Sequence, residues 1–445
     1  LTAEIALLNK LAVTLAADSA VTIPSSDGTK VYNSADKIFE GTVHDPIGVM
    51  VYNSPEINGV PVESIVKMYR DKECREHHST VFDYASAFLM HLEKLDTPDI
   101  TVYSNIQDLI ADRLFVLRDD LRLFADEFFR HGSTEEQHAT VEEALAALDA
   151  RVGEVLDSDI VSLEMAPEQP WAAGLTVDDV ISAHKEAIEN TLDVVFLDQY
   201  LPDAHKTKMV SIAAWSLLKE YQRAKLTGMV FAGFGEDEIF PSLIGYEIYG
   251  IVSGKLKFIE TNRFDVDRKL VPDAAVLPFA QKEMVDRFMY GLDNEFLVLC
   301  DTYFSGSHDA LKRNLDELLL DAGEEVRNAV APAIDTILEE FRGRIVPDHL
   351  QRLRQQFSDM VRSMPKQEMA ALSESLVHIT SLKRKFSAGA ESVGGPIDVA
   401  MITRAEGFVW VKRKHYFDPE LNPRYFFRHY GKGIESERRL DDAPE

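Results

Sequence analysis

Two nearly continuous apolar runs open the chain, residues 3 to 8 (AEIALL) and 11 to 17 (LAVTLAA), split by the polar pair Asn9-Lys10. Runs this short and this uniformly apolar predict strands covered on both faces and joined by a hairpin turn. Pro24-Ser-Ser-Asp-Gly28 reads as a loop, and Lys30 to Phe39 and Ile47 to Tyr52 read as two further strands. The period then changes. Gly59-Val60-Pro61 leads into Val62, Ile65, Val66 and Tyr69 at helical spacing, and Thr80 with Asp83 starts a second helix whose Val81, Ala85, Phe88, Leu89 and Leu92 share a face. Four strands ahead of two helices is an α+β layer order, not the βαβ alternation of a doubly wound sheet.

From residue 98 to 225 the pattern is amphipathic helix, with capping-box starts at Ser133-Thr-Glu-Glu136 and Thr176-Val-Asp-Asp179 and a break marked by Pro167 and Pro170. Strands return at Gly228 to Phe234, Ser242 to Val252 and Lys255 to Ile259. A long helical stretch follows from about 279 to 383, with breaks expected at Ser305-Gly306-Ser307, Arg344 to Pro347 and Pro365. Ile397 to Thr403 and Phe408 to Lys412 predict a last hairpin, and the polar, aromatic tail from Tyr416 to Glu445 is expected to be poorly ordered. The organisation expected is therefore strand-and-helix segments at 1–97, 226–304 and 384–415, interrupted by helical regions at 98–225 and 305–383 and followed by the tail 416–445.

Composition narrows the function classes. The 445 residues include 75 acidic and 47 basic side chains, a formal charge of -28 that repels phosphate backbones and anionic membranes, so no nucleic-acid or membrane partner is expected. The short basic run Lys412-Arg413-Lys414-His415 reads as surface. Cys74 and Cys300 stand far apart in unlike contexts, which supports neither a disulfide framework nor a zinc site. No signal peptide or run of about 18 apolar residues is apparent, so the expected compartment is the cytoplasm. The histidines form no HExxH or strand HxH pattern, Glu236-Asp-Glu238 reads as an exposed turn, and Cys74 lacks a nucleophile's context. Neither metal nor cofactor is expected. The GxSxG, GxxxxGK[ST] and GxGxxG patterns are missing from the sequence, against serine α/β-hydrolase, P-loop and Rossmann readings.

The chemistry on offer sits at the start of the chain. Thr2 precedes the first strand, Asp18 follows sixteen residues later at the end of the second, and Lys37 stands in Asp36-Lys37-Ile38. A threonine hydroxyl is a weak nucleophile until its proton is taken, and an α-amine on the same residue can take it. An Asp18-Lys37 structural ion pair is the bland alternative.

Thr2-Ala-Glu-Ile, Leu15-Ala-Ala-Asp18-Ser19, Asp36-Lys37-Ile38, the apolar strand Ile47 to Tyr52, Phe231-Ala-Gly-Phe234 and Gly394-Gly-Pro-Ile-Asp-Val-Ala-Met-Ile-Thr403 occur in this order. Together they resemble the proteasome β-subunits and related bacterial proteasome-like peptidases of the N-terminal-nucleophile (Ntn) hydrolase class. The resemblance covers roughly half the chain, and helical regions of the size of 98–225 and 305–375 have no counterpart in an ordinary family member. It implies a four-layer αββα sandwich of two antiparallel sheets flanked by helices, with large helical insertions.

The resemblance also implies roles. Thr2 would be the nucleophile, Asp18 would hold the lysine, and Lys37 would favour deprotonation of the hydroxyl. Where the family has a Gly donating an oxyanion N–H, this chain has Asn53-Ser54-Pro55, with Ser54 as the expected donor. The supporting Asp and Ser of the family would fall near Glu391 and Ser392, and the Ser before its third helix is unmatched in Leu277-Pro-Phe-Ala-Gln281. The expected activity is hydrolysis of amide bonds, chiefly in peptide or protein substrates, by a homo-oligomer that an ATPase or other regulator could feed. A catalytically inactive proteasome-like scaffold and a small-molecule amidase are the alternatives. Because the nucleophile needs a free α-amine, Leu1 must be absent from the working protein. It would be lost as a one-residue propeptide, or it is a TTG-encoded initiator Met that is removed.

Overall fold

The computed structural model describes residues 2–25, 28–74, 76–135, 140–196, 202–220, 226–266, 273–292, 294–318, 335–336, 339–386, 393–418 and 420–424. Leu1, Glu391, Ser392 and the tail beyond residue 424 therefore lie outside the described residues.

Two five-stranded antiparallel sheets carry the fold. The first has the order β12-β1-β2-β13-β14, made of Ala275–Ala280 (β12), Ala3–Leu8 (β1), Val13–Ala17 (β2), Asp398–Thr403 (β13) and Gly407–Lys412 (β14). The second has the order β11-β10-β9-β6-β5, made of Lys255–Asp265 (β11), Ser242–Val252 (β10), Thr227–Gly233 (β9), Ile47–Asn53 (β6) and Ile38–Glu40 (β5). The sheets face one another through Ala6, Leu8, Leu15 and Ala17 on one side and Met50, Tyr52, Val230 and Ala232 on the other. Every residue of β1 and β2 is buried, because both faces of the first sheet are covered.

Helices close the outer faces. Val62–Met68 (α1) and Val81–Glu93 (α2) pack Val62, Ile65, Tyr84 and Phe88 against Val49, Phe231 and Tyr246 of the second sheet. On the other side Lys366–Phe386 (α10) lays Met369, Leu376 and Val377 on Ala3, Ile5, Leu7 and Ala16. Helix α2 begins at a capping box in which Thr80 Oγ1 accepts from the Asp83 N–H and the Asp83 carboxylate accepts from the Thr80 N–H.

Between α2 and β9 run Asp99–Glu135 (α3), Val141–Met165 (α4), Val177–Val195 (α5) and Asp203–Lys219 (α6). They bury their own cluster of Leu109, Ile110, Leu156, Ile188 and Ile212, joined to the second sheet at Tyr249 and Val252 of β10. The capping box at Thr176 starts α5. The one expected at Ser133 does not start a helix: Ser133 lies in the last turns of α3, Glu136 is outside the described residues, and Thr140 with Glu143 caps α4 instead.

Other local expectations change for identifiable reasons. Lys30 to Phe39 is not one strand; Val21–Ser25 (β3) and Gly28–Tyr32 (β4) pair as a separate hairpin, and an irregular link leads to β5. That link is held by main-chain bonding from the Ala35 N–H to the Ser19 carbonyl, so Lys37 stands at a strand entrance. The helical stretch expected from about 279 does not begin there: Ala275–Ala280 is strand β12, with Pro278 within it. It is an edge strand, where a missing N–H is tolerated. Ser305-Gly306-Ser307 does not break the chain's helix, since Asn294–Leu318 (α8) runs through it. The stop falls earlier, where Glu283–Tyr290 (α7) ends at Gly291 with a left-handed φ of 68°. Pro347 sits where a π-helical turn, Phe341–Ile345, runs straight into Val346–Arg362 (α9), so the helix is distorted there and not ended.

Candidate active site

Alternation along β1 turns Thr2, Glu4, Ala6 and Leu8 to one side, with Ala6 and Leu8 in the layer between the sheets. Thr2 and Glu4 are 2% and 0% exposed. The ladder between β1 and β2 continues one step past the strands, with the Asp18 N–H donating to the Ala3 carbonyl at 3.2 Å and the Ala3 N–H donating to Asp18 Oδ1 at 3.1 Å. The pairing places Asp18 beside the residue that follows Thr2.

Asp18 collects donors from three separate parts of the chain. Its Oδ1 also takes Lys37 Nζ at 2.5 Å, and its Oδ2 takes the N–H groups of Ala20 at 3.3 Å and Gly394 at 2.9 Å. Ser19 reinforces this junction by donating its N–H to the Gly394 carbonyl and its hydroxyl to the Pro396 carbonyl. Gly395 has φ 77°, and a Cβ there would lie 2.9 Å from the Asn33 Cβ, so the close approach requires glycine. Lys37 is held by its own carbonyl, which accepts from the Val51 N–H at 2.8 Å. Its side chain, 6% exposed, runs inward to Asp18 and to Glu4 Oε1 at 3.2 Å.

Thr2, Asp18 and Lys37 are thus gathered in one buried cluster, and a fourth member was not foreseen. The Thr2 hydroxyl donates to Glu4 Oε2 at 3.1 Å. This carboxylate stands between Thr2 Oγ1, which is hydrogen-bonded to Oε2, and Lys37 Nζ, which lies 3.2 Å from Oε1 as an ion pair. Burial pushes the Glu4 carboxyl up to about 7, with Lys37 pulling the other way. The signal in the sequence was available: Glu4 is a charged residue at a strand position whose neighbours in the same alternation are apolar.

The main-chain N–H that faces Thr2 is not that of Ser54. Ser54 spends its N–H on the Leu226 carbonyl and its hydroxyl on the Glu56 carbonyl. Its predecessor Asn53 directs its N–H at Thr2 Oγ1 across 3.5 Å. Asn53 has a φ of 64°, a left-handed conformation that Asn tolerates better than most residues. Glu391 and Ser392 lie outside the described residues, and the Gly394 N–H reaches Asp18 from the segment just after them.

A cavity of about 130 Å³ adjoins the cluster, lined by Val21, Ala35, Lys37, Asn53, Pro55 and Val62 among others. It is below the size of a pocket for a whole small ligand and suits a single side chain. A larger cavity of about 640 Å³ lies between α3, α4 and the start of α6, lined by Leu121, Leu145, Val152 and His205 among others, and holds none of these residues. Cys74 is buried, and burial pushes its thiol up, away from nucleophile behaviour. Among the described residues no group of three or more His, Cys, Asp or Glu side chains could hold a metal ion, and no helix is long and apolar enough to cross a membrane.

No protein-family model matches the sequence, and no curated protein matches it. Solved structures do show a likeness. Anbu (ancestral beta-subunit) from Yersinia bercovieri aligns over 100% of this chain and 98% of its own, at 10% identity and a TM-score of 0.28. The Anbu (Gly-1) mutant from Hyphomicrobium sp. strain MC1 aligns over 100% and 98% at 11% identity and 0.28, and the helical assembly of the Anbu complex from Pseudomonas aeruginosa over 100% and 97% at 11% and 0.27. Similarity at this level carries no residue correspondence.

Proposed function

We propose that this chain is a threonine-type Ntn hydrolase of proteasome-like fold that cleaves amide bonds, chiefly in peptides. The observation that carries the reading is the buried convergence of Thr2 Oγ1, Lys37 and Asp18 beneath a main-chain N–H, that of Asn53, aimed at the hydroxyl. In this mechanism Thr2 Oγ1 attacks the carbonyl carbon, the Thr2 α-amine relays the hydroxyl proton to the departing amine, and the Asn53 N–H faces the developing oxyanion. Lys37, held by Asp18, lowers the cost of negative charge on the hydroxyl oxygen. Water then hydrolyses the Thr2 ester. The 130 Å³ cavity beside Asn53, whose lining mixes Val21, Phe39 and Val62 with Asp36, Lys37 and Glu63, would take a small substrate side chain next to the scissile bond. The relay requires that whatever precedes Thr2 be removed.

The test is labelling by a threonine-directed covalent inhibitor, read by intact mass. Wild type with Thr2 as its first residue gains one adduct and Thr2→Ala gains none. A wild type of that mass without adduct overturns the reading.

One observation favours the second reading, an inactive proteasome-like assembly protein: Thr2 exposes only 2% of its surface. A scaffold never labels. A small-molecule amidase labels but leaves fluorogenic peptides intact. In the hydrolase reading, residues 98–225 and 305–383 are helical insertions on the sandwich, and the chain self-associates, which light scattering would show directly.

A further inference from the structure

Glu4 has no part in the mechanism above, yet it is the group in contact with the nucleophile. We propose that Glu4, in place of the Thr2 α-amine, is the catalytic base of this site, accepting the Thr2 hydroxyl proton directly on Oε2; this rests on the reading of Thr2 as nucleophile.

The argument begins from charge. Two carboxylates, Asp18 and Glu4, share one ammonium, Lys37, in a layer closed on both sides by apolar side chains. With all three ionised and the Thr2 α-amine neutral, the cluster carries one net negative charge away from water, which costs several kcal/mol on the order of a buried, uncompensated ion. One further proton removes that cost. The hydrogen bonds decide where it goes. Asp18 receives four N–H donors, three from the main chain and one from Lys37, which fill its oxygen lone pairs. Glu4 Oε1 meets Lys37 only as an ion-pair contact at 3.2 Å without a donor aligned on it, and Oε2 holds the Thr2 hydroxyl. Glu4 is therefore the carboxylate with room for a proton, and the proton nearest to it is the one the reaction must move.

The other charged or titratable groups facing Glu4 are Lys37 ahead of β5, Asp18 after β2, Tyr52 of β6 and, once Thr2 is the first residue, its α-amine. Burial outweighs the ammonium and pushes the Glu4 carboxyl up to about 7, near the optimum for a base working at neutral pH.

The step balances. As Thr2 Oγ1 bonds to the carbonyl carbon, its proton passes to Glu4 Oε2 and the carbonyl π pair moves onto oxygen. Collapse breaks the carbon–nitrogen bond, and the leaving nitrogen takes the proton from Glu4. In the second half, water gives a proton to Glu4 as its oxygen bonds to the ester carbon, and the released Thr2 oxygen recovers that proton. Glu4 ends as it began. A consequence is that the hydroxyl has an acceptor even while the Thr2 nitrogen is in peptide linkage.

The experiment compares wild type, Glu4→Gln, Glu4→Asp and Thr2→Ala for inhibitor labelling and peptide hydrolysis across pH 5 to 9. Glu4→Gln, which keeps the shape and loses the base, is expected to slow both by ~100-fold or more and to abolish the acid limb of the wild-type profile. Glu4→Asp, a base set back by one methylene, is expected to fall between them and keep the limb. A Glu4→Gln variant that loses less than about tenfold and retains the acid limb overturns the proposal while the hydrolase reading stands. A wild type indistinguishable from Thr2→Ala overturns the hydrolase reading itself. Should Glu4→Gln not fold, carboxyl carbon resonances of wild type labelled at glutamate decide. A resonance titrating near neutral pH and shifting when Thr2 is acylated supports the base, and none behaving so overturns it.

Discussion

Gly394 donates its N–H to Asp18 Oδ2 at 2.9 Å, across 376 positions of sequence. The carboxylate that holds Lys37 beside the first strand is thus completed by the approach to the thirteenth. The bond makes the Gly394-Gly395 pair part of the site's support. Gly395→Ala must carry a Cβ at φ 77°, 2.9 Å from the Asn33 Cβ. We expect a stability loss of about 1–3 kcal/mol, comparable to other strained backbone positions, with labelling of Thr2 reduced in step. Urea denaturation together with intact-mass labelling measures both.

Asp18→Asn leaves Lys37 facing only Glu4. Removing one member of a buried ion pair costs about 3–5 kcal/mol, and the loss of a partner at 2.5 Å frees the ammonium to move. The expected result is a lower melting temperature and loss of Thr2 labelling even in the fraction that remains folded. Unchanged labelling would mean that the Asp18-Lys37 pair is purely structural.

Asn53 separates conformation from side-chain chemistry. If its role is to present an N–H from a backbone with φ 64°, Asn53→Gly keeps that geometry and should label and turn over within a few-fold of wild type. Asn53→Val, β-branched and disfavoured at positive φ, should lose both. Equal loss in the two variants would assign the role to the Asn side chain.

Glu4 links stability to pH. Its carboxyl, near 4.5 when exposed, is raised to about 7 in the folded chain, so between those values the folded state binds the extra proton. The contribution is complete below 4.5 and is lost as pH rises through 7, a decline of about 3 kcal/mol. Glu4→Gln should flatten that decline and melt above wild type at pH 8, in denaturation series at pH 5 and pH 8.

Lys257 works in the opposite sense. It is wholly buried and donates to the carbonyls of Leu217 and Glu220 at 2.8 and 2.7 Å, pinning the end of α6 to β11. Burial lowers its ammonium from 10.5 to about 7, so across that window the unfolded chain binds more protons and stability rises with pH. Lys257→Met should lose this rise and, by leaving two carbonyls without their donor, destabilise the helical region at pH 7. Hydrogen exchange of α6 amides reports it.

Much of this was legible along the chain. The apolar runs of β1 and β2, the capping boxes at Thr80 and Thr176 and the final hairpin are local patterns, and local patterns are set by backbone sterics and by period 2 or 3.6. Other features depended on neighbours distant in sequence. A helix reads from about residue 279 until β12 is seen pairing with β1 as far as Ala280, and only the fold shows that the Ser54 N–H goes to the Leu226 carbonyl. The four donors on Asp18 and the approach of Glu4 to both Thr2 and Lys37 arise only when two sheets close over β1. The sequence by itself determined which chemical groups lie on buried strands, because burial follows apolar pattern. Only the tertiary structure decided which of those groups share a proton, because that is settled by distances of about 3 Å between segments the chain order keeps apart.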